Sequence, residues 1–142
     1  MTGTLLERAV IGCGIAHIML CLGSLYIPKA LQWRTHLRVL QPLLRQMFWT
    51  YAGYILVTNL SFGIVSILGS EELLAKSFLA RSVTVFISVY WFARIGIQFF
   101  YFDRSHAPKG MMYTIAEILL VSLFVIFSLT YFVAFLYNCG WL

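Results

Sequence analysis

The sequence predicts an all-α integral membrane protein: a four-helix antiparallel bundle with an interfacial amphipathic helix between its first two spans. Three observations predict it. Hydrophobic residues make up 61% of the chain and charged residues 11%, against roughly 45–50% and roughly 25% in soluble domains. Four apolar segments reach the roughly 20 residues needed to cross a bilayer core. Basic residues collect on alternate connections, as positive-inside topology requires. The chain has 142 residues and shows no linker, repeat or low-complexity tract, so it reads as one transmembrane domain over 1–142.

The first span is predicted over 9–27, AVIGCGIAHIMLCLGSLYI. It does not read as a cleaved leader: Glu7 beside Arg8 leaves no clearly positive start, and no small-x-small site follows cleanly. Next comes PKALQWRTHLRVLQPLLRQ, in which Trp33, Leu37, Leu40 and Leu44 recur at steps of three and four. Arg34, His36, Arg38, Gln41 and Arg45 fall largely on other faces, the pattern of a helix lying in the interface. Lys29, Arg34, Arg38 and Arg45 are the expected contacts to anionic lipid headgroups. Pro28 fits the first turn of this helix, and Pro42 should kink or end it.

The second span is predicted over 47–68; Gly69 can end it, and Ser70 before Glu71 and Glu72 reads as a helix N-terminus. The third span is predicted over 78–102 and the fourth over 112–137, joined by DRSHAPKG with a stop at Pro108. Aromatic residues mark the boundaries: Trp49, Tyr51 and Tyr54, then Phe99 to Phe102, then Tyr137 and Trp141. Lys29, Arg34, Arg38, Arg45, Arg104 and Lys109 lie on the first and third connections, against Arg8, Lys76 and Arg81 on the other side. That bias predicts cytoplasmic first and third connections and both termini outside, as in a bacterial inner membrane.

Each span also carries a strongly polar residue: His17, Asn59, Arg94 with Gln98, and Glu117. Arg94 lies about eight residues from the end of its span, or roughly 12 Å deep, and Glu117 roughly 8–9 Å deep in the next. A charge at the centre of an isolated helix costs at least about 2.5 kcal/mol, so the two are expected to meet. Lipid offers such groups no partner, which turns the whole set inward. The cluster is then either glue between helices or a polar pocket for a ligand.

Catalytic signatures are missing. Cys13, Cys21 and Cys139 make an odd count without CxxC spacing. His17 has no second intramembrane histidine to share a haem, and no metal-ligand spacing, nucleophile motif or phosphate loop occurs. Neither cofactor nor metal is expected. The net charge of +5 flanks apolar runs and forms no nucleic-acid module. The favoured expectation is a non-enzymatic subunit or scaffold of a membrane assembly, beside a membrane-protein partner or further copies of itself. Two alternatives are an enzyme or binding protein for a lipid or quinone-like amphiphile near Arg94 and Glu117, and an oligomeric transporter of small solutes.

Overall fold

A computed structural model describes residues 2–103, 105 and 109–142. The predicted roles of Arg104 and Pro108 fall outside the described residues. Every element among the described residues is helical. Four helices are long and apolar enough to cross a membrane: α1 (Thr2–Ser24), α4 (Pro42–Leu68), α6 (Phe78–Phe100) and α7 (Met111–Asn138).

Two boundaries differ from the sequence expectation by about a helical turn or more. Helix α1 begins well before residue 9, because the leader continues the helix: Leu6 is buried, and Glu7 Oε1 accepts a hydrogen bond from Ser70 Oγ at 3.2 Å. Hydropathy passes over such a turn because it counts the charges and not their partners. Helix α4 starts at Pro42 instead of Met47. A proline supplies the helical φ at a first turn, where its missing N–H costs nothing. Gln41 before it is extended, at φ −55° and ψ 145°, as the steric demand of proline requires.

The predicted interfacial helix is broken. Two single turns, α2 (Ile27–Ala30) and α3 (Trp33–Leu37), flank Gln32, which is left-handed at φ 52° and ψ 47°. A positive φ at a non-glycine residue ends right-handed helix, so the amphipathic spacing is never realised on one axis. Of the described residues 25–41 only Leu37 is buried. Trp33 anchors the stretch by meeting Phe48 and Trp49 edge-on, with centroids 4.9 and 5.8 Å apart. Lys29, Arg34 and Arg38 are exposed and Arg45 is half-buried.

At the other end, Gly69 closes α4 by donating its N–H to Val65 O at 2.8 Å, and α5 (Ser70–Leu73) follows at once. Ser77 caps α6 by accepting from the Ala80 N–H at 3.0 Å.

Packing joins α1 to α4 and α6 to α7, with a lesser contact between α1 and α7 and none comparable between α4 and α6. The α1–α4 contact depends on glycine. A Cβ on Gly14 would lie 2.9 Å from Gly63 O and 2.8 Å from Ile67 Cγ1, and a Cβ on Gly63 would lie 3.0 Å from Gly14 O. Small residues at such crossings let backbones approach and van der Waals contact accumulate, which is the main attraction available between helices in lipid.

Burial is uneven along α4, α6 and α7, and extends along most of α1. The buried residues of α1 run from Leu6 to Cys21, of α4 from Asn59 to Ser66, of α6 from Ala80 to Trp91, and of α7 from Phe124 to Asn138. The molecule therefore has a closed half, which includes α5, and an open half, which includes α2 and α3.

Candidate functional site

The five polar residues of the spans do not form one cluster. His17 lies in the closed half, Arg94, Gln98 and Glu117 in the open half and Asn59 between them, and the rings of Trp91 and Phe124 stand between His17 and Arg94.

His17 is fully buried in the closed half. Its Nε2 accepts from Trp91 Nε1–H at 3.0 Å, and its Nδ1 lies 2.7 Å from Cys13 O. An indole nitrogen only donates. Nε2 therefore carries no proton, and Nδ1 carries the proton that the Cys13 carbonyl accepts. Both ring nitrogens are committed. The imidazole stacks on Phe127 at 3.9 Å between centroids and meets Phe62 and Tyr131 edge-on at 6.0 and 5.9 Å. A further ligand atom could reach either nitrogen only by breaking one of these hydrogen bonds.

The same half ties its helices together by further polar contacts. Ser66 Oγ and the Tyr131 hydroxyl are 2.6 Å apart, joining α4 to α7. Ser88 Oγ donates to Ser128 O at 2.9 Å, joining α6 to α7. Asn138 accepts from Lys76 N–H at 3.0 Å and donates to Leu73 O at 2.7 Å, which fixes the segment between α5 and α6 on the end of α7. Composition reveals polar residues on apolar helices, but the spacing within one helix does not say which residue of another helix answers each. Sequence reasoning for that reason misses Trp91, Ser66, Tyr131 and Phe127 as the surroundings of His17. The one usable signal is Trp91, a donor-bearing ring deep inside a span.

Arg94, Gln98 and Glu117 are half-buried, on the open-half side of Trp91 and Phe124. Those two rings stack at 4.9 Å between centroids. Arg94 Nη1 donates to Gln98 Oε1 at 3.3 Å, and Gln98 Nε2 donates to Glu117 Oε1 at 3.2 Å. The structure thus links the arginine to the glutamate by way of Gln98, one turn further along α6. The guanidinium also lies over the Phe102 and Phe124 rings, at 5.1 and 5.3 Å, within the range of cation–π attraction.

Asn59 lies between the two groups. It is buried, 8% exposed, and its Oδ1 has no hydrogen-bond partner among the described residues. Its amide is within reach of the Tyr90 hydroxyl, which also feels the charge of Arg94. Tyr90 packs edge-on against Phe62 at 5.2 Å. From Phe62 an apolar groove of about 480 Å³ runs between α4 and α6, lined by Val65, Val83, Phe86 and Ile87 with Ser61 and Ser82.

Among the described residues, no three His, Cys, Asp or Glu side chains are placed to share a metal ion, and Cys13, Cys21 and Cys139 are free thiols. No protein-family model, curated protein or solved structure matches the chain.

Proposed function

We propose that this chain is a non-enzymatic subunit or scaffold of a membrane assembly, its four long helices crossing the bilayer as an antiparallel bundle. The observation that carries this reading is the commitment of both His17 nitrogens to Trp91 and Cys13. This deeply buried imidazole is a fastener between α1 and α6, with no lone pair or proton free for chemistry. The Ser66–Tyr131 contact fastens α4 to α7 in the same half. Such bonds contribute roughly 0.6–2 kcal/mol each in membranes, and they hold a rigid body from which the open half presents Arg94, Gln98 and Glu117.

In this reading the connection carrying Lys29, Arg34 and Arg38 faces the cytoplasm, and both termini lie outside. Cys139 near the C-terminus is half-buried, whereas Cys13 and Cys21 are buried, so one thiol reports the topology. An impermeant maleimide is expected to label intact cells at Cys139; labelling only after permeabilisation inverts the topology. The role itself is tested by native mass spectrometry of the tagged chain in mild detergent. A fixed number of copies or a stoichiometric partner span supports it. A monomer without partners refutes it.

A further inference from the structure

Three features are left over by the fastening of the closed half: one in the open half, one at the boundary and one in the closed half itself. Asn59 has a buried acceptor with no donor among the described residues. Arg94 is charged, and it touches the neutral amide of Gln98 and two aromatic rings. An apolar groove begins at Phe62, which touches Tyr90, the neighbour of both polar groups. Tyr90 and Phe62 lie between the two polar groups and the groove.

We infer that the site between α4 and α6 binds one phospholipid whose headgroup carries both a phosphate and a hydroxyl donor, with Arg94 on the phosphate, Asn59 Oδ1 on the hydroxyl and an acyl chain in the Phe62–Phe86 groove. Each part answers one feature. A buried acceptor left without a donor bears its full desolvation penalty, and lipid supplies no water to meet it. The guanidinium offers a planar set of donors suited to phosphate. Its long stem covers part of the distance from the bilayer surface: Arg94 is six residues before the end of α6 at Phe100, roughly 9 Å by helical rise. The groove is too apolar for a soluble anion and suits a hydrocarbon chain. Lys29, Arg34 and Arg38, exposed at the same end of the molecule, raise the local concentration of anionic lipid.

The chemistry discriminates among headgroups. Phosphatidylglycerol has the phosphate and hydroxyl donors. Phosphatidylcholine has the phosphate but no hydrogen-bond donor, so it leaves Asn59 unanswered. Inorganic phosphate shares the anion and lacks the chain.

The test is reconstitution of the full chain into nanodiscs of phosphatidylcholine doped with phosphatidylglycerol, then native mass spectrometry of retained lipid. One phosphatidylglycerol per chain is expected, with about tenfold less phosphatidylcholine, the ratio that one hydrogen bond to a buried acceptor supports. Asn59→Leu should bring phosphatidylglycerol down to the phosphatidylcholine level, and Arg94→Gln should lower both. Millimolar inorganic phosphate should displace nothing. Equal retention of the two lipids by the unmodified chain makes the bound lipid annular and overturns the inference without any variant having to fold. Retention unchanged by both substitutions also overturns it, and displacement by phosphate reassigns the site to a soluble anion. The inference does not rest on the subunit reading: copy number and bound lipid are separate masses in the same spectrum.

Discussion

The two halves of the molecule use the same kinds of residue to opposite ends. In the closed half a histidine, a tryptophan, a tyrosine and an asparagine hydrogen-bond across helices at 2.6–3.0 Å and are almost fully buried. In the open half an arginine, a glutamine and a glutamate make longer contacts, 3.2 and 3.3 Å, and stay half-exposed. The tightest glycine contacts fall in the closed half. Gly14 and Gly63 meet backbone to backbone in the closed half, while a Cβ added to Gly53 or Gly96 of the open half would find nothing within 4 Å. Polar residues in a membrane helix are therefore no single class: some lock helices together at full burial, and others make longer contacts at the edge of the core.

The largest expected effect breaks the closed half at its crossing. Gly14→Leu must push Gly63 O, Ser66 Cβ and Ile67 Cγ1, which lie 2.8–3.0 Å from its first carbon. Overpacking costs about 1–3 kcal/mol and occasionally more, and the upper end is expected here because a backbone carbonyl cannot rotate away. Gly12→Leu, two residues away on the same helix with no atom within 4 Å, should be close to neutral. Unfolding by SDS, followed by circular dichroism, compares them; equal midpoints would remove the close crossing from the account.

Next in size is the histidine fastener. Trp91→Phe keeps the ring stack with Phe124 but removes the donor to His17 Nε2, at a cost of about 1–3 kcal/mol for the stranded acceptor. His17→Leu alone should cost as much, and the double variant less than the sum, since the second change finds no bond left to break. Strict additivity in the same SDS titration means that the two residues do not interact.

In the open half Arg94→Leu should move the unfolding midpoint by only about 0.6 kcal/mol, the average worth of a polar contact between membrane helices. A loss as large as that of Trp91→Phe would show that Arg94 is a fastener too and would erase the distinction between the halves.

The four long apolar helices are legible in the sequence because hydropathy over about 20 residues is a property of one segment at a time. The connection after α1 is less legible. Trp33, Leu37, Leu40 and Leu44 keep helical spacing, yet Gln32 turns left-handed and the helix breaks; periodicity reports which face would be apolar and not whether the backbone stays on one axis. The polar residues are legible as a set and not as pairs. His17, Asn59, Arg94, Gln98 and Glu117 stand out on composition, but their division depends on Trp91 and Phe124, two aromatic rings whose stacking exists only once α6 and α7 pack. The place of Gln98 between Arg94 and Glu117 follows from the rotation of α6, which spacing along one helix cannot fix.

The smallest effect lies at the far edge of the open half. Ser105 N–H donates to Asp103 Oδ1 at 2.9 Å, and this bond holds the Asp103 carboxyl below its ordinary value. A carboxyl so depressed supports its turn fully above the ordinary aspartate range and loses that support as pH falls through the lowered value. Asp103 is exposed, so solvent screens the bond and the packing of α6 on α7 should not feel it. Between about pH 7 and pH 5, above the ordinary aspartate range, the SDS midpoint should stay constant while the Ser105 amide keeps its hydrogen-exchange protection. Acidification below the aspartate range should release that amide alone. Loss of protection along α6 at the same pH would mean that the turn helps hold the two helices together, and the open half would then be less independent of the closed one than its exposed carboxyl implies.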